Sequence, residues 1–367
     1  MLRRWALLTA ALACLTLGLA LPVLVGVELG TMALALALAL ASLPVPIYVT
    51  MILWIDRFEA EPPGLLGLSF LLGASASVFT AAVANTAITS IVGDDPVLRI
   101  WVVVSGPVVE ELCKGAVLIG LFLRCKHEFD GVLDGIVYAG MVGLGFAMAE
   151  NIQYYGHAAF VGGLPAGSRL FLLRGLLAPF AHPLFTAALG LGLGLTLRVR
   201  GPVAKLVLGV TGLIAAIALH ALWNLSALHG SATFRVIYEF VMVPIFALGL
   251  LIIALEIRRE GRLVASHLLP ELQAGLLSPA EHERLASVPR RIAARWRALR
   301  GGGYAAWWAA ARPHQLAGEL ALLRQRIAFG VVTADKTTQA AESALVQALI
   351  TALRSPGQDW AARPPPE

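Results

Sequence analysis

Over its first two-thirds the chain is a succession of long apolar runs separated by short polar connections. Runs of roughly 17 to 25 apolar residues can cross a bilayer as helices. Such runs fall near Trp5–Val27, Met32–Trp54, Leu65–Val92, Ile100–Leu123, Gly131–Tyr155, Leu170–Leu197, Val203–Leu228 and Phe234–Ile257. The pattern predicts an all-α fold, a polytopic membrane helical bundle of about eight transmembrane helices. After "EIRREGR" continuous apolarity gives way to helical periodicity: Leu316, Leu320, Leu323 and Ile327 share one face, and Leu345, Leu349 and Leu353 another. "SPAEHERL" predicts a helix start, with Ser278 as cap, Pro279 in the first turn and Glu281 completing a capping box. Residues 1–257 thus read as one membrane domain. Residues 258–367 read as a small, soluble, mainly helical C-terminal region, a bundle or a surface for a cytoplasmic protein partner. In it, "GGGYAAWW" is expected to be a flexible break whose aromatic residues rest on the membrane, and "RPPPE" to be disordered.

Composition agrees with a bilayer protein: 58% of the 367 residues are hydrophobic and 14% charged, against about a quarter charged in an ordinary soluble domain. With a cytoplasmic N-terminus, the inner connections hold Arg3, Arg4, Arg57, Arg124, Lys126, Arg198, Arg200, Lys205, Arg258, Arg259 and Arg262. The outer ones hold chiefly Arg99, Arg169 and Arg235. This asymmetry puts both termini in the cytoplasm of a multi-pass cell-membrane protein. The first run follows "MLRR" without a convincing cleavage site and is expected to stay as an uncleaved anchor. From Arg258 onward there are 15 basic and 9 acidic residues, against 13 and 14 before it. The positive excess therefore suits attraction to an anionic inner leaflet, and no nucleic-acid partner is expected. Cys14, Cys113 and Cys125 have no paired spacing and imply neither a disulfide framework nor a thiolate metal site.

The fourth run carries the unexpected chemistry, because "VVEELCK" sets Glu110, Glu111 and Lys114 near its middle. Each charge facing lipid there would cost roughly 2.5 to 3.5 kcal/mol, so the three must face protein or water. Lys114 can reach either carboxylate at i,i+4 or i,i+3 spacing but cannot neutralise both. The remaining negative charge favours proton uptake by the pair, which suits general acid and base work. Other spans add Glu150 and Asn151 in "GLGFAMAENIQYY", His182 in "APFAHPLF", and His220 with Asn224 in "LHALWNLS". At about 1.5 Å per residue, Glu110 lies roughly 15 Å from the outer end of its span, Glu150 about 8 Å, His182 about 18 Å and His220 about 12 Å. Residues at matching depth can share one site. Pro107, Pro179 and Pro183 flank it, and each is expected to free a backbone carbonyl. Singly, each histidine reads as a packing residue; together with the carboxylates they read as a hydrolytic centre that activates water through a carboxylate or a metal.

These pieces resemble the motifs of the PrsW family of intramembrane proteases, distantly similar to the CAAX prenyl endopeptidases and their bacterial relatives. The matching residues are Glu110, Glu111 and Lys114 in E-E-x-x-K, Phe146, Glu150 and Asn151 in F-x-x-x-E-N, His182, and His220, Trp223 and Asn224 in H-x-x-W-N. "FDGVLDGIVYAGMVGLGFAMAEN" and "DRFEAEPP" add to the match, which covers about residues 45 to 255. The resemblance implies a protease-like domain in which Glu110 and Glu111 activate water or help hold a metal and Lys114 sets their charge. Glu150, His182 and His220 would complete the centre, as candidate ligands of a divalent metal such as zinc. Asn151 or Asn224 would orient a neighbour or the oxyanion. The implied substrate is a membrane-anchored protein, for example an anti-sigma factor. Two other classes use intramembrane charges: a proton-coupled transporter, for which inverted repeats are expected and none is found, and a catalytically silent scaffold acting through its tail.

Overall fold

In a computed structural model of the chain, every element among the described residues is helical. The structure describes residues 26–55, 58, 61–93, 96–126, 128–228, 230–329 and 332–355, with scattered positions from 16 to 23; the side chains of 96–102 are not included. The "RPPPE" end and most of the expected first span lie outside the described residues; the positions of that span that are described, 16–18, 20, 22, 23, 26 and 27, are helical.

Two compact units emerge. The first takes in the described residues up to Ile55 and Glu61–Leu250. Its elements are α1 (Thr31–Ser42), α2 (Val45–Ile55), α3 (Pro63–Leu72), a π-helical turn at Gly73–Ser77, α4 (Val78–Val92), α5 (Pro96–Arg124) and α6 (Val132–Phe171). A second π-helical turn (Leu172–Leu177), α7 (Ala181–Thr196), α8 (Pro202–Leu228), α9 (Ser231–Ile237), a third π-helical turn (Tyr238–Met242) and the start of α10 (Val243–His267) follow. Among the described residues, five helical stretches are long and apolar enough to cross a membrane: Thr31–Ile55, Pro63–Val92, Val132–Thr196, Pro202–Leu228 and Ser231–His267. α5 is long enough as well, but Glu110, Glu111 and Lys114 keep it out of the apolar set.

α6 is the hub of this unit, packed by α1, α3, α7 and the first π-helical turn. It starts where the Asp134 carboxylate accepts hydrogen bonds from the Asp130 and Gly131 amides at 2.6 and 2.7 Å, satisfying donors that a helix N-terminus leaves open. Every residue from Val132 to Ala147 is buried. Small residues make that possible: a Cβ built on Gly135 would meet the Gly190 carbonyl oxygen at 2.2 Å, and one on Gly143 the His182 oxygen at 2.7 Å. Backbones approach this closely only where side chains are absent. Because 135 faces 190 and 143 faces 182, α7 runs antiparallel to α6.

Between them the chain departs from the expected continuous span Leu170–Leu197. α6 kinks at Gly162–Gly163, passes into the second π-helical turn, and breaks at Ala178 (φ −130°, ψ 40°) before α7 restarts with Phe180 as N-cap. This alters the reading of the prolines. Pro183 lies in the first turn of α7, where a proline removes no helical hydrogen bond, and Pro179 lies in the break itself. Pro107 alone of the three sits beyond the first turn of a helix, in the interior of α5.

The second unit comprises Phe58 and the described part of Leu251–Glu367. Its elements are the end of α10, α11 (Leu269–Gln273), α12 (Pro279–Ala286), α13 (Val288–Ala309), α14 (Arg312–Ala328) and α15 (Lys336–Arg354). Leu316 and Leu320 of α14 pack with Leu349 and Leu353 of α15, and Phe58 joins the same core. The capping box at Ser278 and Glu281 forms with both of its hydrogen bonds. Arg324 clamps Glu271 through two bonds of 2.8 and 2.7 Å and reaches Glu342 at 2.7 Å. The expected break at "GGGYAAWW" is narrower than the motif: α13 is helical on both sides of one non-helical residue, Gly303, at φ 72°.

Candidate active site

Four helices of the first unit bring ionisable groups to one buried place. α5 supplies Glu110, Glu111 and Lys114 on neighbouring turns, α6 supplies Glu150, the first turn of α7 supplies His182, and α8 supplies His220. Glu111, Lys114 and His220 are at most 2% exposed, and Glu110 and His182 are 8% and 7% exposed. Buried charge persists only when it is paired, and the pairings here divide the residues into two kinds.

Glu111 is fully engaged. Its Oε1 forms an ion pair with Lys114 Nζ and lies 2.9 Å from His220 Nδ1, and its Oε2 accepts from Thr186 Oγ1 at 3.2 Å. Lys114 also lies 3.1 Å from His182 Nδ1 and rides 4.4 Å from the Phe146 ring centroid. His182 Nε2 is 2.9 Å from Glu150 Oε2, which forms an ion pair with Arg174. Ammonium only donates and carboxylate only accepts. His182 therefore takes the Lys114 proton donor at Nδ1 and gives its Nε2–H to Glu150, and His220 gives its Nδ1–H to Glu111.

Glu110 differs. Its Oε1 has a long hydrogen bond from Asn85 Nδ2 of α4, at 3.4 Å, and its Oε2 is buried with no hydrogen-bond partner among the described residues. His220 Nε2 lies 3.6 Å from that oxygen. With the His220 proton on Nδ1, a nitrogen lone pair faces a carboxylate oxygen across a gap. Such an arrangement calls for a cation or a proton between the two.

Ligand atoms of Glu110, His182 and His220 all lie within 4.8 Å of one another. A Glu/His/His donor set with an open position suits a catalytic divalent metal such as zinc. The Glu111 carboxylate behind His220 is the kind of outer partner that fixes a ligating imidazole. The residues fit the ion on two independent grounds, the orphaned Glu110 oxygen and the backed histidine. The sequence offers Glu150 as a candidate ligand beside the histidines, and Glu110 and Glu111 as residues that activate water or help hold the metal; in the structure a Glu150 oxygen is held by Arg174 and His182, and Glu110 is the carboxylate grouped with the two histidines.

Asn151 enters the network indirectly, accepting from Arg174 Nε at 2.7 Å. None of the cluster's hydrogen bonds involves Asn224. Its neighbour Trp223 packs on Phe234, with ring centroids 5.0 Å apart. Phe146 has a clear place, under Lys114 and 5.3 Å from the His182 ring. Three participants are additional to the sequence expectation: Asn85, Thr186 and Arg174. The clue to Arg174 was present, since an arginine in "FLLRGLL" inside an apolar run is a functional candidate by position. Asn85 and Thr186 are uncharged residues on membrane helices, and nothing in their local pattern separates them from packing residues.

Comparison with known proteins points the same way. A family model described as "PrsW family intramembrane metalloprotease" matches residues 61–249. Protease PrsW of Geobacillus kaustophilus (strain HTA426) is 30% identical over 147 residues, covering 38% of this chain and 57% of the relative. Protease PrsW of Clostridioides difficile (strain 630) is 37% identical over 108 residues, covering 28% of this chain and 44% of the relative. The chain thus spans about half the length of the curated relatives it matches. No solved structure matches it.

Proposed function

Because the chain belongs to the PrsW family of intramembrane metalloproteases, we propose that it is a multi-pass membrane endopeptidase that hydrolyses a peptide bond of a membrane-anchored protein. The observation that carries the reading is the buried, unpartnered Glu110 Oε2 facing His220 Nε2 and grouped with His182. A hydrolytic centre needs such an unsatisfied acceptor; a packing cluster is destabilised by one.

Glu110, His182 and His220 would hold a divalent cation, zinc being the ion this donor set suits best. When bound, the ion supplies Lewis acidity to the scissile carbonyl. The chain's own residues do the rest. Glu111 fixes the His220 ring so that Nε2 faces the reaction site. Lys114 offsets the charge of Glu111 and, when His182 gives its Nδ1 to the ion, donates to Glu111 alone. Glu150, anchored by Arg174, holds His182 from its far side by accepting the Nε2–H of that ring. Asn85 steadies Glu110 and is a polar donor within reach of a developing oxyanion. The apolar helices around the centre exclude bulk water, which strengthens each of these interactions.

In topology, the reading is of eight crossings: the N-terminal run, the α1–α2 stretch, the α3–α4 stretch, α5, α6, α7, α8 and the α9–α10 stretch. The N- and C-termini are then cytoplasmic and residues 258–367 a cytoplasmic helical region that binds a protein partner. An anti-sigma factor is one substrate of the implied class, a single-span protein whose cleavage releases a signal.

The test is cleavage of a pool of single-span membrane proteins by the purified full chain in liposomes, followed by mass spectrometry of the products. Wild type should cut at least one substrate and lose the activity with chelator, and His220→Ala should be inactive while remaining folded. Equal turnover by wild type and His220→Ala would sink the reading.

A further inference from the structure

The second unit has a face that its own packing leaves uncovered. Between Val288 and Arg312 the sequence holds six arginines, at 290, 291, 295, 297, 300 and 312, and no aspartate or glutamate. α13 turns Arg291, Ala294 and Ala298 into the unit. Ala293, Trp296 and Arg300 consequently face out.

At Gly303 the helix axis changes direction. In a straight helix Arg295 and Trp307 would be about 18 Å apart along the axis. The Arg295 guanidinium is instead 3.7 Å from the Trp307 ring centroid, so the segment after Gly303 folds back on the first arm. A positive φ at this residue makes the reversal inexpensive for glycine and strained for other residues.

The reversal gathers Tyr304, Trp307 and Trp308 into one cluster, with centroid separations of 5.8, 6.1 and 5.1 Å. Tyr304 remains 68% exposed, Trp308 54% and Trp296 53%. Arg300, four positions before Tyr304, and Arg312, four after Trp308, are exposed as well. Arg290 is paired with Glu283, whereas Arg284 and Arg295 each keep a buried guanidinium Nε without an acceptor among the described residues, so the arginines here are offset only in part.

Amphipathic rings beside cations, with no acid among them, are the chemistry of a bilayer's headgroup region. Nucleic acid would be drawn by the same charge. The lipid surface is favoured because the chain reaches this unit directly from Ser231–His267, a stretch apolar enough to cross a membrane, which keeps a bilayer at high effective concentration. We propose that the face formed by Trp296, Arg300, Tyr304, Trp308 and Arg312 docks on anionic headgroups of the leaflet through which α10 leaves the membrane. The proposal stands apart from the peptidase reading.

Amide hydrogen exchange of 293–312, followed in the full chain in nanodiscs of phosphatidylcholine with and without phosphatidylglycerol, tests it. Protection should appear with phosphatidylglycerol and fade at high salt. Arg300→Gln and Arg312→Gln, both exposed and outside the core, should each weaken it about fivefold. The triple variant Trp296→Ser, Tyr304→Ser, Trp308→Ser should abolish it, with unchanged exchange in α14 and α15 showing that the unit stays folded; if that unit fails to fold, the two arginine variants carry the test. Identical exchange in both lipids would overturn the proposal. So would protection gained only on adding double-stranded DNA to phosphatidylcholine nanodiscs.

Discussion

Two adjacent carboxylates of one helix, Glu110 and Glu111, have opposite surroundings, and different consequences follow from removing each. Glu111 accepts from Lys114, His220 and Thr186. Glu111→Gln leaves a buried ammonium without its counter-charge, a change that costs about 3 to 5 kcal/mol, and the thermal unfolding midpoint should drop accordingly. Glu110→Gln removes a carboxylate whose second oxygen has no hydrogen-bond partner among the described residues, so stability compared in the presence of chelator should hold while cleavage falls by about 100-fold or more. Were Glu111→Gln as stable as wild type, the division of labour between the two would be wrong. The sequence could show that "VVEELCK" is costly in a bilayer and that Lys114 reaches both acids. It could not rank them, because the ranking comes from residues on other helices: Thr186 and His220 on one side, Asn85 on the other. Arg174 was legible as a charge in an apolar run, but its place behind Glu150 depends on the π-helical turn that carries it.

Helix periodicity and apolar length made the helical class readable, and the cap at Ser278 could be placed to the residue because its hydrogen bonds are local. The break at residues 178–180 could not, since apolar residues continue through it and Pro179 alone does not distinguish a kink from a restart. That break puts His182 in the first turn of α7, against Gly143 of α6. Gly143→Val should therefore displace the His182 backbone and cost most of the cleavage activity, whereas the same change at Gly120, where a Cβ meets nothing within 4 Å, should be tolerated. Equal activity of the two variants would contradict a helix contact that sets the histidine. In the second unit His314 is buried, and burial together with Arg291, Arg284 and Arg295 holds its pKa well below 6.5. A histidine depressed in the folded state is protonated preferentially in the unfolded chain once the pH falls below about 6.5. Stability of this unit is then unaffected above that pH and lost progressively below it. The opening free energy of α14 and α15, obtained from exchange rates corrected for the intrinsic pH dependence of amide exchange, should fall between about pH 7 and pH 5, and His314→Gln should flatten the dependence. A dependence of the same slope in the variant would assign it to other groups.

At the scale of the molecule, a bundle whose hub helix is buried along its first sixteen residues, Val132 to Ala147, surrounds a cluster of acids and bases that lipid could not tolerate. The centre is built from helices far apart in sequence, so on the proposed reading metal, fold and activity would be linked: an ion bound only by the folded chain adds to its stability. Chelator treatment should lower the unfolding midpoint of wild type but leave that of His220→Ala unmoved. The most direct measurement is the content of bound divalent metal per chain, taken on wild type and Glu110→Gln in the same liposome preparations whose substrate cleavage is followed. The account predicts one ion per chain in wild type, with ion and cleavage lost together in Glu110→Gln. Full cleavage by Glu110→Gln, or wild-type cleavage by a preparation stripped of metal, would contradict it.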